Sequence, residues 1–290
     1  MLKHAFIISA HKDEEQLKLL IRSLQFGDVF IHIDKKNDLL YNELKSFYSQ
    51  SNNIYFVSNR ISVNWSGFSQ VRATIELLKL VNSTHNRYDY IHFISGQDLL
   101  LMKPNQLNQY LIKNGLDKQY VEVENIGSYK WRLMTYSLFR ENPKNRTIRY
   151  RILDNSLRLI QRPIIHRSNF KNYDLYKGSQ WFSITNDCMK YILDTIENTD
   201  YVTKFKYTAC PDEHFFQILL MNSKFKKNIM KYNGRYIVFE GLQASPKLLI
   251  NEDYDKFMNG NFMFARKFDL KKDSVVVKRV LSYLDAKKVF

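Results

Sequence analysis

Asp253-Tyr254-Asp255 is the one Asp-x-Asp triplet in the chain. Carboxylates so spaced at a strand end could hold a divalent cation against a diphosphate. Here the triplet lies within Asn251-Glu252-Asp253-Tyr254-Asp255-Lys256-Phe257, which reads as the acidic first turn of a helix answering the helix dipole. Phosphate chemistry would then fall to lysine and arginine. Arg266 and Lys267 stand between Phe264 and Phe268, aromatic neighbours that should anchor a basic pair otherwise left to solvent. Asp212 and Glu213 follow Pro211 at the head of an apolar run, where carboxylates could simply complement a dipole. Familiar catalytic signatures are missing: there is no G-x-G-x-x-G, Walker loop, G-x-S-x-G or H-E-x-x-H. The seven histidines are scattered, and Cys188 and Cys210 form no CxxC. Both facts argue against a metal cluster, a structural zinc site or a disulfide framework.

These residues need a frame. The first 125 residues alternate short β runs with helix-period segments, the signature of an α/β fold. Strands are expected over 5–9, 29–33, 54–57, 90–94 and 120–123. Helices are expected from Asp13, with Leu17, Leu20, Ile21 and Leu24 on one face, and over 39–48, 68–81 and 104–113. The pattern loosens after Gly127, and the basic stretch 140–171 reads as helices on the outside. Regular structure resumes with a strand over 181–184, a helix over 186–196, a helix opened by Pro211-Asp212-Glu213 and a strand over 236–239. The last 20 residues read as a basic amphipathic helix with Val276, Val277, Val280, Leu281 and Leu284 on one face. No repeat or linker interrupts the chain. The expectation is one domain over 1–270, with halves 1–125 and 126–270, followed by the helix of 271–290.

The 290 residues are 44% hydrophobic and 25% charged, enough for a core and incompatible with wholesale disorder. No apolar run reaches the ~18–20 residues of a membrane span, and the N-terminus lacks a secretory pattern. A cytoplasmic protein is the expectation. Its 44 Lys+Arg against 29 Asp+Glu leave a net charge of +15, and the excess is concentrated. Nine basic residues stand against Glu141 and Asp154 over 140–171, and eight against three acids over 266–290. Such patches attract nucleic acid, anionic lipid or phosphorylated substrates, or form a solvated face.

Five segments rise above this background. They are Val63-Asn64-Trp65-Ser66-Gly67-Phe68-Ser69-Gln70, Tyr90-Ile91-His92-Phe93-Ile94-Ser95-Gly96-Gln97-Asp98, Lys177-Gly178-Ser179-Gln180-Trp181-Phe182, Pro211-Asp212-Glu213-His214-Phe215-Phe216 and Phe264-Ala265-Arg266-Lys267-Phe268-Asp269. In this order they resemble glycosyltransferase family 14, the core-2 and I-branching β-1,6-N-acetylglucosaminyltransferases and the peptide O-xylosyltransferases. The resemblance runs from about Phe6 to Asp269. It implies a variant GT-A fold, with a mixed sheet flanked by helices, a nucleotide-sugar half and an acceptor half. It implies inversion at the anomeric carbon without a metal or other cofactor, in keeping with the reading of the Asp-x-Asp triplet.

By the same resemblance Glu213 is the catalytic base, a role suited to a carboxylate within reach of an acceptor hydroxyl. Lys267 matches the diphosphate-binding lysine; Arg266 or Lys247 stands in for a second basic residue. The nucleotide is placed near His11, Asp34 and Trp65. Gly96 and Asp98 form the turn beneath the sugar, with Asp98 either a donor ligand or a turn residue. Acceptor contacts map loosely onto Glu122, Glu124, Lys130, Trp131, Arg132 and Tyr236. The implied enzyme moves GlcNAc from UDP-GlcNAc in β-1,6 linkage to a glycan, with UDP-xylose, UDP-glucose or UDP-galactose as alternative donors. Paucity of cysteine and a composition typical of AT-rich genomes suggest bacterial capsule or lipopolysaccharide synthesis. A lipid-linked acceptor and peripheral contact with an anionic membrane are expected, and no nucleic acid. The competing reading is a basic surface-binding module without catalysis.

Overall fold

The protein is described by a computed structural model over residues 1–161, 163–165, 167–241 and 245–285. Short apolar runs lay down the parallel strands β1 (His4–Ala10), β2 (Asp28–Ile33), β3 (Ile54–Phe56) and β4 (Tyr90–Ser95). Helices α1 (Glu14–Leu24), α2 (Asp38–Phe47) and α3 (Ser69–Ser83) connect them. Then follow β5 (Asp98–Leu100), α4 (Pro104–Asn114), β6 (Tyr120–Val121), β7 (Glu124–Asn125), α5 (Trp131–Met134), α6 (Ile148–Gln161), β8 (Tyr176–Lys177) and β9 (Phe182–Ile184). The chain continues through α7 (Asn186–Asn198), α8 (Tyr201–Lys204), α9 (Phe215–Met221), β10 (Arg235–Ile237), α10 (Tyr254–Met258), β11 (Phe264–Arg266) and α11 (Ser274–Asp285).

The central sheet has the order β3-β2-β1-β4-β9-β6 and is mixed, because β9 runs antiparallel to both neighbours. Strand alternation sends Ala5, Ile7, Phe30, Ile91 and Phe93 to one core and Phe6, Ile8, Val29, Ile31 and Ile94 to the other. Leu17, Leu20, Ile21 and Leu24 of α1 are buried, as their spacing predicts. Each core draws on residues before and after position 126. A second sheet, β10-β11-β5, takes up β5 after only two intervening residues beyond β4. Arg235 ties the sheets together: it is buried, and its Nη2 donates to the carbonyls of Phe93 (3.1 Å) and Phe182 (2.5 Å).

Three expectations are refined. The strand over 236–239 is Arg235–Ile237, and β5 and β11 were not foreseen. The helix expected from Pro211 begins only at Phe215, after a separate 3-10 turn over Pro211–Glu213. The C-terminal helix is α11 as far as Asp285; positions 286–290 lie outside the described residues. Its Val276, Val277 and Val280 are buried, with Leu281 and Leu284 packed against the second core. No helix among the described residues is long and apolar enough to cross a membrane. A side-chain amide closes the chain ends together: Gln16 Nε2 donates to the carbonyls of Gly96 (3.3 Å) and Phe268 (3.2 Å), and its Oε1 accepts from the Leu270 N–H (2.7 Å).

Candidate active site

The Pro211–Glu213 turn is set by its neighbours. Cys210 takes a left-handed conformation (φ +48°) and donates its N–H to the Ser66 carbonyl at 3.0 Å. The N-cap of α9 is His214, which makes no side-chain cap; Asp212 and Glu213 face other partners. Asp212 is buried and accepts from Gln70 Nε2 at 3.1 Å, and Gln70 Oε1 in turn accepts from the Ser66 N–H at 2.6 Å. Burial, with the Glu213 charge beside it, pushes the Asp212 carboxyl well up. Arg132, on α5, donates to Glu213 Oε2. Oε1 has no hydrogen bond among the described residues, and the side chain remains solvent-accessible.

Behind the turn, the Gly178 N–H donates to the Glu213 carbonyl at 2.9 Å. A Cβ on Gly178 would lie 1.9 Å from the Glu122 carbonyl oxygen, so only glycine allows this approach. Glu122 is held by the Ser179 N–H (3.2 Å) and Asn233 Nδ2 (3.1 Å). Its carboxyl is raised by burial first, then by Glu124 and, at longer reach, Glu213. Glu124 pairs with Lys177, and the Tyr129 ring carries both Arg132 (4.5 Å) and Lys177 (4.9 Å). Of the expected acceptor residues, Glu122, Glu124 and Arg132 therefore surround the Glu213 turn. Lys130 is exposed beside them. Tyr236 instead packs on Phe257 and Phe262 in the second core.

A cationic cluster gathers where β11 ends. Arg266 lies opposite Asp98 in the β11–β5 register, with Nε 3.7 Å from Asp98 Oδ1 and the guanidinium 4.3 Å above the Trp181 ring. Asp98 is fully buried and also accepts from the Ser95 N–H (3.0 Å) and Oγ (2.5 Å). It is thus both the turn residue and the counter-charge of Arg266. Arg266 Nε and Nη1 are buried without a hydrogen-bond partner, polar atoms that could take an anion. Burial lowers the Lys267 ammonium pKa, and the charges of Arg266, Lys12 and Arg146 push the same way against Asp269. Burial likewise lowers His11, with Lys12, Lys267 and Lys36 adding to it and Asp34 opposing. Such crowding of positive charge suits a diphosphate.

Asp34 accepts from the backbone N–H groups of Lys36 (3.0 Å) and Val63 (3.4 Å), a turn-forming arrangement beside His11. Gly96 sits against Ala10, where a Cβ would approach to 3.0 Å. Lys247 pairs with Glu240 (3.4 Å) and Asp253 (3.2 Å), so its charge is already engaged. Asp253 also accepts from Lys256 (3.0 Å) and the Ile250 N–H (3.4 Å), the capping role its sequence suggested. Among the described residues no group of three or more His, Cys, Asp or Glu is placed to hold a metal ion.

A cavity of about 380 Å³ is bounded by Trp65 and Trp131 and lined by Arg140, Arg146, Arg151 and Arg158. Arg146 faces the Trp65 ring (5.6 Å) and Arg158 the Trp131 ring (4.4 Å). The cavity therefore extends from Arg146, whose charge acts on Lys267, to Trp131, the residue adjoining Arg132. Sequence reasoning placed the basic stretch outside and did not assign these arginines to the site.

The family model for the Core-2/I-Branching enzymes matches residues 4–257. The chain belongs to that family. As a Core-2/I-Branching family member it is 23% identical over 310 residues to xylosyltransferase 1 of Rattus norvegicus, covering 97% of this chain and 35% of that protein. It is 22% identical over 311 residues to β-1,3-galactosyl-O-glycosyl-glycoprotein β-1,6-N-acetylglucosaminyltransferase 4 of Danio rerio, covering 98% and 70% respectively. The chain spans about a third of the length of the xylosyltransferases it matches. Mouse xyloside xylosyltransferase 1, apo form, covers 91% of this chain at 9% identity, with a TM-score of 0.41 and 96% of its own length.

Proposed function

We propose that this Core-2/I-Branching family chain is an inverting, metal-independent glycosyltransferase that moves a sugar from a UDP-sugar to a hydroxyl of a glycan acceptor. The observation that carries the reading is Glu213, with one oxygen clasped by Arg132 and the other open on a solvent-accessible side chain. In the proposed step Glu213 Oε1 takes the acceptor hydroxyl proton as that oxygen attacks the anomeric carbon. The bond from carbon to the diphosphate oxygen breaks, and UDP leaves with the electron pair. Lys267 and Arg266, with Lys12 and Arg146 nearby, stabilise the charge that develops there.

GlcNAc in β-1,6 linkage is the first-choice transfer, supported by the family and by the Danio rerio relative. Xylose is the second reading, supported by the xylosyltransferase relatives. UDP release with UDP-GlcNAc, UDP-xylose, UDP-glucose and UDP-galactose in turn, each in excess EDTA, separates them. Release that survives chelation and follows one donor supports the reading. Release abolished by EDTA and restored by Mg²⁺ or Mn²⁺ refutes its metal-independent part, and no release from any donor refutes the transferase itself.

A further inference from the structure

Helix α6 is turned inside out. Its buried residues are Asp154 and Gln161, whereas Ile148 (75% exposed), Ile152 (59%), Leu159 (61%) and Ile160 (63%) face solvent, with Ile164 (74%) just beyond. This orientation is fixed by polar contacts. Asp154 pairs with Arg140 at 2.6 Å. Gln161 accepts from the Tyr136 N–H (2.7 Å) and donates to its carbonyl (3.0 Å). At helical spacing Ile148, Ile152 and Leu159 form one stripe about 16 Å long.

We infer that this stripe docks on an anionic bilayer, with α6 lying in the headgroup region. Arg146, Arg151 and Arg158 line the cavity, whereas Arg149 flanks the stripe and Lys144 precedes it, and among the described residues neither of these two is in an ion pair. An anionic lipid surface supplies phosphate for those cations and hydrocarbon for the isoleucines together. A second copy of this chain would bring an equally positive face, which opposes pairing. Helix α11 has the same basic, amphipathic character, yet its Val276, Val277 and Val280 are buried in the second core and only Val275 of the valines in that helix is exposed, so α6 alone of the two presents an apolar stripe. The inner flank of α6 supplies Arg151 and Arg158 to the cavity, so docking would set that cavity beside the membrane. The inference does not depend on the transferase reading.

Co-sedimentation of the full chain with vesicles of equal parts phosphatidylglycerol and phosphatidylcholine tests it. Wild type should sediment at low salt and weakly or not at all with phosphatidylcholine alone. The triple variant Ile148→Ser, Ile152→Ser, Leu159→Ser should bind roughly tenfold or more weakly, with unchanged circular dichroism. Ile152→Ser alone should fall between the two, a check that holds if the triple variant folds poorly. Equal binding by wild type and Ile152→Ser, or no wild-type binding at low salt, overturns the inference. So does a wild-type dimer in light scattering that Ile152→Ser dissolves, since the stripe would then join two copies.

Discussion

At the scale of single residues, Glu213 and Arg132 form the pair on which the proposed chemistry turns. Glu213→Gln keeps an oxygen for Arg132 and removes the proton acceptor. Turnover should fall roughly 10²–10⁴-fold, with donor affinity measured by calorimetry nearly unchanged. Wild-type turnover in that variant would remove Glu213 from the role. Lys267→Ala acts on the other end of the reaction. It should weaken UDP binding and lower turnover by about 10²-fold or more, while the melting temperature, read in the same samples, moves little. Glu213 and Lys267 could be singled out from the sequence because each stands in a local motif. The partners that shape them were not. Arg132 reached the site only through a loose correspondence, and Arg146 lies in a stretch whose charge pattern carries no direction. Gln70 and Gly178 stood in quoted segments without a role, because contact with Asp212 or Glu122 is a property of the folded chain.

At the scale of elements, two short pieces of backbone do most of the positioning. Gly178 lets the Lys177–Ser179 segment pass against Glu122 while bonding the Glu213 carbonyl. Gly178→Ala must push that segment outward and tilt the Glu213 turn. Turnover should drop at least roughly tenfold, since small misplacement of reacting groups is costly, with the chain still folded by circular dichroism. Retained activity would show that the turn adjusts freely. The β5–β11 pair is the second piece. Asp98→Ala leaves Arg266 buried without its counter-charge and the Ser95 N–H unpaired, at a cost of about 3–5 kcal/mol in denaturant unfolding. The parallel strands were readable as apolar, β-rich runs and the amphipathic helices from their period. Three-residue strands such as β5 and β11 are too short to show a period. In α6 the apolar period is present but faces outward, so pattern indicated a helix without saying which side is buried.

At the scale of the whole molecule, buried histidines couple stability to acidity. Burial lowers His32 and His214 to about 4 from an ordinary 6.5, and takes His92 well below it. The unfolded chain binds these protons first, so their contribution to stability is complete above pH about 6.5 and declines as pH falls towards 4. Melting temperature should drop by several degrees between neutral pH and pH 5. Replacing His32 by Asn should flatten that slope, because the amide does not titrate. An unchanged slope would place the proton uptake elsewhere.

The Gln16 amide also orders events in time. Its acceptors and donor include Phe268 and Leu270, more than 250 positions away, and the strand that carries Arg266 joins the fold beside them. During synthesis, the Gln16 amide of α1 must wait for its partners until Phe268 and Leu270 have emerged. Closing so long a loop is slow relative to local pairing. The Arg266–Lys267 cluster is therefore assembled late, and a nascent chain that stalls before residue 264 exposes an incomplete second core to chaperones and proteases.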